Sequence, residues 1–141
     1  MRTMTLALFS ALALAGMNLA WAQTSSPPGA KVYIINIQDG AAVKSPFLVQ
    51  FGMSGMGVAP AGVEKPNTGH HHLVIDATLT EEEMQAPVTV DEKHVHFGAG
   101  QTEAMVTLPP GKHTLQLVLG DWSHIPHKPA VMSKPITVTV Q

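Results

Sequence analysis

The stretch TGHHHLVID at residues 68–76 decides how this chain can fold. Three consecutive histidines lead into β-branched and apolar residues, which predicts a β-strand over 71–77 that opens on imidazole side chains. Because successive side chains of a strand point to opposite faces, His70 and His72 share one face and His71 lies on the other. The three histidines are therefore predicted to divide between the two faces of one strand.

Short apolar strands recur along the rest of the chain. Stretches such as KVYIINI, HTLQLVL and PITVTV are β-branched or alternate strictly, and Gly and Pro punctuate the segments between them. Residues 78–85 fit either a short helical turn capped by a threonine or a solvated acidic loop. We predict about seven strands, at residues 31–37, 47–53, 71–77, 87–90, 102–108, 113–119 and 135–140. This spacing predicts an all-β fold, an immunoglobulin-like antiparallel β-sandwich.

The N-terminus predicts export. A basic start, a short apolar run and the sequence AWA ending at Ala22 have the anatomy of a secretory signal peptide, although an uncleaved membrane anchor is the alternative. We expect residues 1–22 to be the signal peptide, 23–30 a disordered polar lead-in and 31–141 the sandwich domain. The protein is then periplasmic or secreted. Since the chain has no cysteine, disulfides, thiolate metal sites and a cysteine nucleophile are excluded.

Composition limits the partners of the chain. Its formal net charge is −2 and no basic face is visible, so we expect no nucleic-acid binding. No polybasic or strongly amphipathic segment predicts membrane binding once the signal peptide is removed. A metal ion, a small ligand or another exported protein is the expected partner.

All 8 histidines fall between positions 70 and 127. Alternate connections of an immunoglobulin-like sandwich lie at the same end, so three histidine clusters far apart in sequence are expected to meet there. The predicted metal ligands are His70, His72, His94, His96, His124 and His127. His113 follows a Pro-Gly turn at the opposite end and is expected to be structural, bonding back across that corner. His71 fits either a buried structural role or a ligand role.

The residue types indicate which metal to expect. Neutral imidazole is the commonest protein ligand for metals, and three or four such nitrogens fit Cu²⁺ or Zn²⁺. In an exported protein we expect a copper ion, with zinc as the alternative. Thioethers suit Cu⁺, although the methionines near these loops, Met53, Met56 and Met132, are more often core residues. We expect Asp76 or Asp121 to orient one of the rings.

These residues predict copper sequestration or delivery, with another periplasmic metal-handling protein as partner. Two alternatives stay open. The loops, including the long one at 54–69, could grip a small ligand or a partner protein while the histidines are structural. A three-histidine zinc site with a bound water could also hydrolyse a substrate. Because no substrate site or separate general base is recognisable, we expect the protein not to be an enzyme.

Four segments form a specific signature: GHHHLVID at 69–76, HFGAGQTE at 96–103, LPPGKHTLQLVLGD at 108–121 and HIPH at 124–127. With them the chain resembles a family of small secreted bacterial proteins known only as a domain of unknown function. The resemblance covers roughly residues 45–140. It implies export and a shared fold, and supplies no activity. The loops are also similar in outline to those of small periplasmic copper-binding modules, whose ligand motifs this chain does not match.

Overall fold

The computed structural model describes residues 22–141, so the predicted signal peptide lies outside the described residues up to Trp21. None of the helices in the described part is long and apolar enough to cross a membrane. The described chain is built from short strands, which confirms the all-β prediction. The strands are β1 (Lys31–Ile34), β2 (Ala41–Val43), β3 (Phe47–Ser54), β4 (Gly57–Val58), β5 (Thr68–Ile75), β6 (His94–His96), β7 (Glu103–Val106), β8 (Gly111–Gly120) and β9 (Ile136–Val140).

Two sheets form the sandwich. The smaller has the order β1-β3-β7, and the larger has the order β2-β9-β8-β5-β4, with β6 paired to β5. The pairs β2–β9 and β4–β5 are parallel, and the other pairs are antiparallel. Of the seven predicted strands, the first, second and fifth lie in the smaller sheet and the third, sixth and seventh in the larger. This division is that of immunoglobulin domains.

The main core lies between the two sheets. The alternation in β3 and β8 buries Val49 and Phe51 on one side and Leu115 and Leu117 on the other, with Leu73 of β5 beside them. Burying a side chain of this size contributes roughly 1.5–3 kcal/mol. The period of two therefore explains both the strand positions and the side of each strand that faces inward.

The outer face of the larger sheet is also covered. Val74 of β5 and Val118 of β8 pack there with Leu79 and Val88, which come from the segment between β5 and β6. Strand β5 is consequently buried on both faces. His70 and His72 share this covered outer face with Val74, so their side chains are buried.

Several short elements differ from the sequence-based prediction. Strands β2, β4 and β6 have only two or three residues, too few to show an alternating pattern. Residues 87–90, predicted as a strand, form none; Val88 is instead buried on the outer face, and its N–H donates to the carbonyl of His124 at 3.0 Å.

The acidic segment before β6 forms a short turn. A 3₁₀ turn spans Glu83–Gln85. The N–H of Thr80 donates to the Glu83 carboxylate at 2.8 Å, and the N–H of Glu83 donates to Thr80 Oγ1 at 3.2 Å. This reciprocal pairing is a capping box, and it settles the choice between helical turn and loop in favour of the turn.

Candidate metal centre

Four histidines from three separate segments meet on the outer face of the larger sheet. Each offers one ring nitrogen, and these four nitrogens lie within 4.8 Å of one another. His70 pairs with Gly120, the last residue of β8, so the group lies at the end of the sandwich where β5 begins and β8 ends. We call this group the histidine cluster; its members are His70, His72, His96 and His124.

Two hydrogen-bonded strands hold three of the four rings. His70 and His72 lie two residues apart on the same face of β5. On the neighbouring strand β6, His96 lies directly opposite His72. The ring centroids are 4.8 Å apart for His70 and His72 and 5.2 Å apart for His72 and His96. Because directly opposed residues of antiparallel strands have Cβ atoms about 4.5–5.5 Å apart, the sheet itself brings these three rings together.

The fourth ring comes from the β8–β9 connection. His124 has a φ of 71°, a left-handed conformation that few non-glycine residues adopt. The buried carboxylate of Asp121 holds this turn, since its Oδ1 accepts the N–H groups of Ser123 at 2.8 Å and Ile125 at 3.0 Å. Burial acts to raise the pKa of Asp121, but hydrogen bonds from Thr24 and from the turn hold this pKa below its ordinary value. A charged carboxylate therefore organises the turn that presents His124.

Two glycines make room for the imidazole rings. A Cβ atom on Gly98 would lie 2.3 Å from Cε1 of His96, and one on Gly120 would lie 2.6 Å from Cε1 of His72. Both separations are far shorter than a van der Waals contact, so any side chain at either position would displace a ring. The glycines thus form a cradle that fits these two imidazoles.

The rings of the cluster have few protein partners. Among residues 22–141, both ring nitrogens of His72, Nδ1 of His70 and Nε2 of His96 are buried without a hydrogen-bond partner. Nε2 of His70 and Nδ1 of His124 lie 3.2 Å apart, within hydrogen-bonding distance. A buried polar atom without a partner costs about 1–3 kcal/mol. A metal ion placed among the rings would bind one nitrogen of each ring.

Burial and mutual repulsion lower the pKa of three rings of the cluster, those of His70, His72 and His96. Burial, then the charges of His124 and His96, lowers the pKa of His70 to about 4. Burial, then the neighbouring rings, lowers the pKa of His72 to about 3. Burial, followed by the charge of His124, also lowers the pKa of His96. Since neutral imidazole is the form that binds metals, these nitrogens are available at neutral pH without loss of a proton.

The structure does not bring the predicted ligands His94 and His127 into the cluster. His94 lies two residues from His96 on β6, but its Nδ1 is 2.8 Å from a carboxylate oxygen of Asp91. His127 is buried, and its two ring nitrogens lie 3.4 and 3.2 Å from backbone carbonyl oxygens. The structure therefore brings four of the six predicted ligands together.

His113 lies at the opposite end of β8, as expected for a structural residue. Its Nδ1 is 2.7 Å from Oδ2 of Asp76, and its Nε2 is 2.8 Å from the carbonyl oxygen of Pro109. The hydrogen bond to Asp76, and then the one to Pro109, raise the pKa of His113. The ring therefore ties β5 to the turn before β8, across the corner that the sequence indicated.

His71 lies on the core face of β5. Its ring is fully buried against Phe51, with the centroids 5.2 Å apart. Burial lowers the pKa of His71 to about 4. Of the two roles that the sequence left open, the structural one fits this position, because the backbone of β5 separates His71 from the cluster.

The other candidate groups also have structural roles. Met53 and Met56 pack against the main core, and Met132 packs against the apolar residues of the outer face. The carboxylate of Asp76 bonds His113, and that of Asp121 holds the turn rather than a ring. The donor set of the histidine cluster is therefore composed of imidazole nitrogens.

Residues 49–141 match the family model described as Domain of unknown function (DUF4399). The chain belongs to this family. The matched range contains the whole histidine cluster, both cradle glycines and the strands β5 to β9. No curated protein and no solved structure gives a significant match. Because the DUF4399 description carries no activity, the functional conclusion rests on the geometry of the cluster.

Proposed function

We propose that this DUF4399 protein binds one Cu²⁺ ion through the histidine cluster and holds or delivers copper outside the cytoplasm, with Zn²⁺ as the alternative ion. The observation that carries the proposal is the convergence of four imidazoles whose nitrogens lie within 4.8 Å of one another. Among the described residues, four of the eight ring nitrogens of the cluster are buried without a protein partner. Buried polar atoms of folded proteins are normally hydrogen-bonded, and the unpartnered nitrogens of the cluster belong to rings that lie together.

The donor set supports this choice of ion. Imidazole suits copper and zinc, and divalent copper generally binds a given nitrogen site more tightly than divalent zinc. Metal–nitrogen bonds of about 2.0–2.1 Å place the ligand nitrogens of a tetrahedral site about 3.3 Å apart and the opposite ligands of a planar site about 4 Å apart, so an ion would draw the rings closer than their present spread of up to 4.8 Å. The absence of sulfur from the set favours Cu²⁺ over Cu⁺.

The surroundings support binding rather than catalysis. A catalytic zinc site keeps three protein ligands and an open position for water, whereas a structural site is closed by four. His70 and His72 have no exposed surface, and four imidazoles supply a complete set. We infer that the ion is held rather than used to activate water.

The arrangement of the ligands supports exchange with a partner. Three ligands are fixed by the sheet and the fourth, His124, by a loop. Movement of that loop would free one ligand without disturbing the other three. Together with the secretory character of the N-terminal sequence, this asymmetry supports delivery of copper to another exported metal-handling protein.

The test is a metal titration of the untagged protein. Cu²⁺, Cu⁺ and Zn²⁺ are added in competition with chelators of known affinity, and bound metal is measured after desalting. We expect one tightly bound equivalent of Cu²⁺, lost in His70→Ala and His96→Ala. The matched control is His94→Ala, on the same strand and face as His96 but outside the cluster, which should bind as the wild type does.

Weak uptake of several equivalents that is the same in all of these proteins would contradict the proposal. The cluster would then be structural, and a second candidate would take its place. A cavity of about 280 Å³ between the N-terminal segment and the long 54–69 loop is lined in part by Glu64, Lys65 and Trp122. It would suit a small polar ligand, whose binding would change the fluorescence of Trp122.

A further inference from the structure

Residues 23–25 lie along the β8–β9 connection that carries His124. Ser25 forms a parallel bridge with Lys128, and the N–H of Lys128 donates to the carbonyl of Thr24 at 2.9 Å. We call residues 23–25 the N-terminal strap. The sequence predicts a disordered lead-in here, but the structure gives the segment defined partners more than 90 residues away.

The side chain of Thr24 connects the strap to the turn of His124. Its Oγ1 donates to Oδ2 of Asp121 at 2.6 Å. The other oxygen of this carboxylate, Oδ1, accepts the N–H of Ile125, and the carbonyl of Asp121 accepts the N–H of His124 at 2.9 Å. Hydrogen bonds therefore run from the strap through one buried carboxylate to the two residues that flank His124, Ser123 and Ile125.

Gln23 connects the strap to a second segment. Its side-chain amide donates to the carbonyl of Pro126 at 3.2 Å, two residues after His124, and to the carbonyl of Met84 at 2.8 Å. Met84 belongs to the segment that covers the outer face, and Val88 of that segment bonds the carbonyl of His124. The strap thus joins both pieces of chain that border the His124 turn.

We propose that the N-terminal strap, through Thr24, is a positioning element that keeps the His124 turn closed on the bound metal and so sets the rate of metal release. The inference rests on the proposed function and deepens it. His70, His72 and His96 are held by the sheet, so the strap acts on the fourth ligand alone. Loosening it changes how fast the ion leaves while the site keeps its single equivalent.

The physical reason lies in the burial of Asp121. Its side chain is almost fully shielded, with the residue 1 % exposed, and Thr24 supplies the bond to Oδ2. Without that hydroxyl, a charged oxygen would lose its donor in a buried place, and the carboxylate would rotate or hydrate. Either response weakens the bonds from Asp121 to the turn, and the ring of His124 loses its fixed position.

The experiment compares Thr24→Val, Thr24→Ser and Ser26→Ala with the wild type. Valine keeps the size of threonine without the hydroxyl, and serine restores the hydroxyl. Ser26 lies just beyond the strap and its hydroxyl donates to the carbonyl of Pro129, so Ser26→Ala is the matched control. Each protein is loaded with one equivalent of Cu²⁺, and its transfer to an excess of chelator is followed by stopped-flow absorbance.

We expect Thr24→Val to release Cu²⁺ about tenfold faster, since a hydrogen bond to a charged group is typically worth a factor of that order or more. Thr24→Ser and Ser26→Ala should release it at the wild-type rate, and all four proteins should bind one equivalent. A second readout needs no metal: the amide hydrogen of Ile125 should exchange faster in Thr24→Val. If Thr24→Val does not fold, Gln23→Ala supplies the test, with a smaller acceleration in the same direction.

Wild-type rates of release and of Ile125 exchange in Thr24→Val would overturn the positioning role while leaving the metal site intact. Failure of the wild type itself to bind an equivalent of metal would overturn the proposed function instead. In that case, unchanged exchange of the Ile125 amide in Thr24→Val would also overturn the structural link between the strap and the turn.

Discussion

Two histidine environments at opposite ends of strand β8 show how the same side chain can have different consequences. Near the start of β8, His113 has both ring nitrogens within 2.8 Å of an oxygen, from Asp76 and Pro109. At the far end, the ring of His72 packs beside Gly120 with both nitrogens buried and unpartnered. Both nitrogens of His71 are also unpartnered, but that ring faces the core alone, so a candidate ligand is distinguished by unpartnered nitrogens that lie beside those of other rings.

The two histidine environments also differ in what they contribute to the free energy of folding. A paired ring such as His113 contributes to folding, whereas each unpartnered buried atom of the cluster costs about 1–3 kcal/mol. An ion that binds only the folded state offsets this cost, by about 2.7 kcal/mol when its concentration is 100 times its dissociation constant. The metal-free protein is therefore expected to be less stable than a protein with the same apolar core and no unpartnered buried nitrogens.

The largest expected effect comes from His72→Leu, which fills a similar space without polar atoms. Loss of a partner outside the ligand set already costs 10–100-fold in metal affinity, so loss of His72 itself should cost at least about 100-fold. The metal-free variant should become more stable by about 1–2 kcal/mol, because two unpartnered nitrogens are removed. Chelator competition and urea unfolding with EDTA present measure the two effects. A metal-free variant that is less stable than the metal-free wild type would show that the unpartnered nitrogens of His72 do not destabilise the fold.

The next largest effect is expected from Gly98→Ala. The added Cβ would overlap the ring of His96, so we expect affinity for Cu²⁺ to fall by about 10–100-fold, as when a ligand loses its orientation. Gly57→Ala is the matched control, since its Cβ would meet only a methyl group of Thr68 at 3.7 Å. Competition titrations should give a lower Cu²⁺ affinity for Gly98→Ala than for Gly57→Ala. Equal affinities would show that the space left by Gly98 is not needed to position His96.

His113→Ala tests the hydrogen-bonded histidine of the comparison. Loss of its two hydrogen bonds should lower the free energy of unfolding by about 1 kcal/mol, reduced where solvent screens the partly exposed Asp76. Cu²⁺ affinity should stay at the wild-type value, because the ring lies at the far end of β8. Urea unfolding and the same titration measure both quantities, and a loss of copper binding would mean that the two ends are coupled.

The smallest effect is the pH dependence of that contribution. Asp76 and Pro109 raise the folded-state pKa of His113 above its ordinary value of 6.5, so the folded state holds the proton more tightly than the unfolded state. The added stability is fully present below about pH 6.5 and is lost as the pH rises through the raised pKa. The stability difference between wild type and His113→Ala should therefore shrink with rising pH. A difference that stays constant would show that the bond to Asp76 does not depend on charge.

Much of the framework could be predicted from the sequence. Alternation with period two placed His70 and His72 on one face of β5 and His71 on the other, and the connection rule of the immunoglobulin sandwich brought three distant segments to one end. The direct pairing of His96 with His72 was not predicted, because residues 94–96 were assigned to a loop. A strand of three residues is too short for alternation to identify it.

The prediction did not separate His94 from His96, since both are histidines on the same face of β6. The difference is local: the carboxylate of Asp91 bonds the ring and the N–H of His94 within one turn, and an aspartate three residues earlier was a usable signal. His127 left no such signal. Its partners are backbone carbonyls brought near by tertiary folding, which no side-chain pattern records.

Anomalous diffraction at the copper absorption edge, from crystals of the protein loaded with one equivalent of Cu²⁺, tests the central claim most directly. The account predicts a single strong peak about 2.0–2.1 Å from one nitrogen each of His70, His72, His96 and His124. A peak beside His94 and Asp91 or beside His113 and Asp76, with the rings of the cluster unmoved, would contradict it.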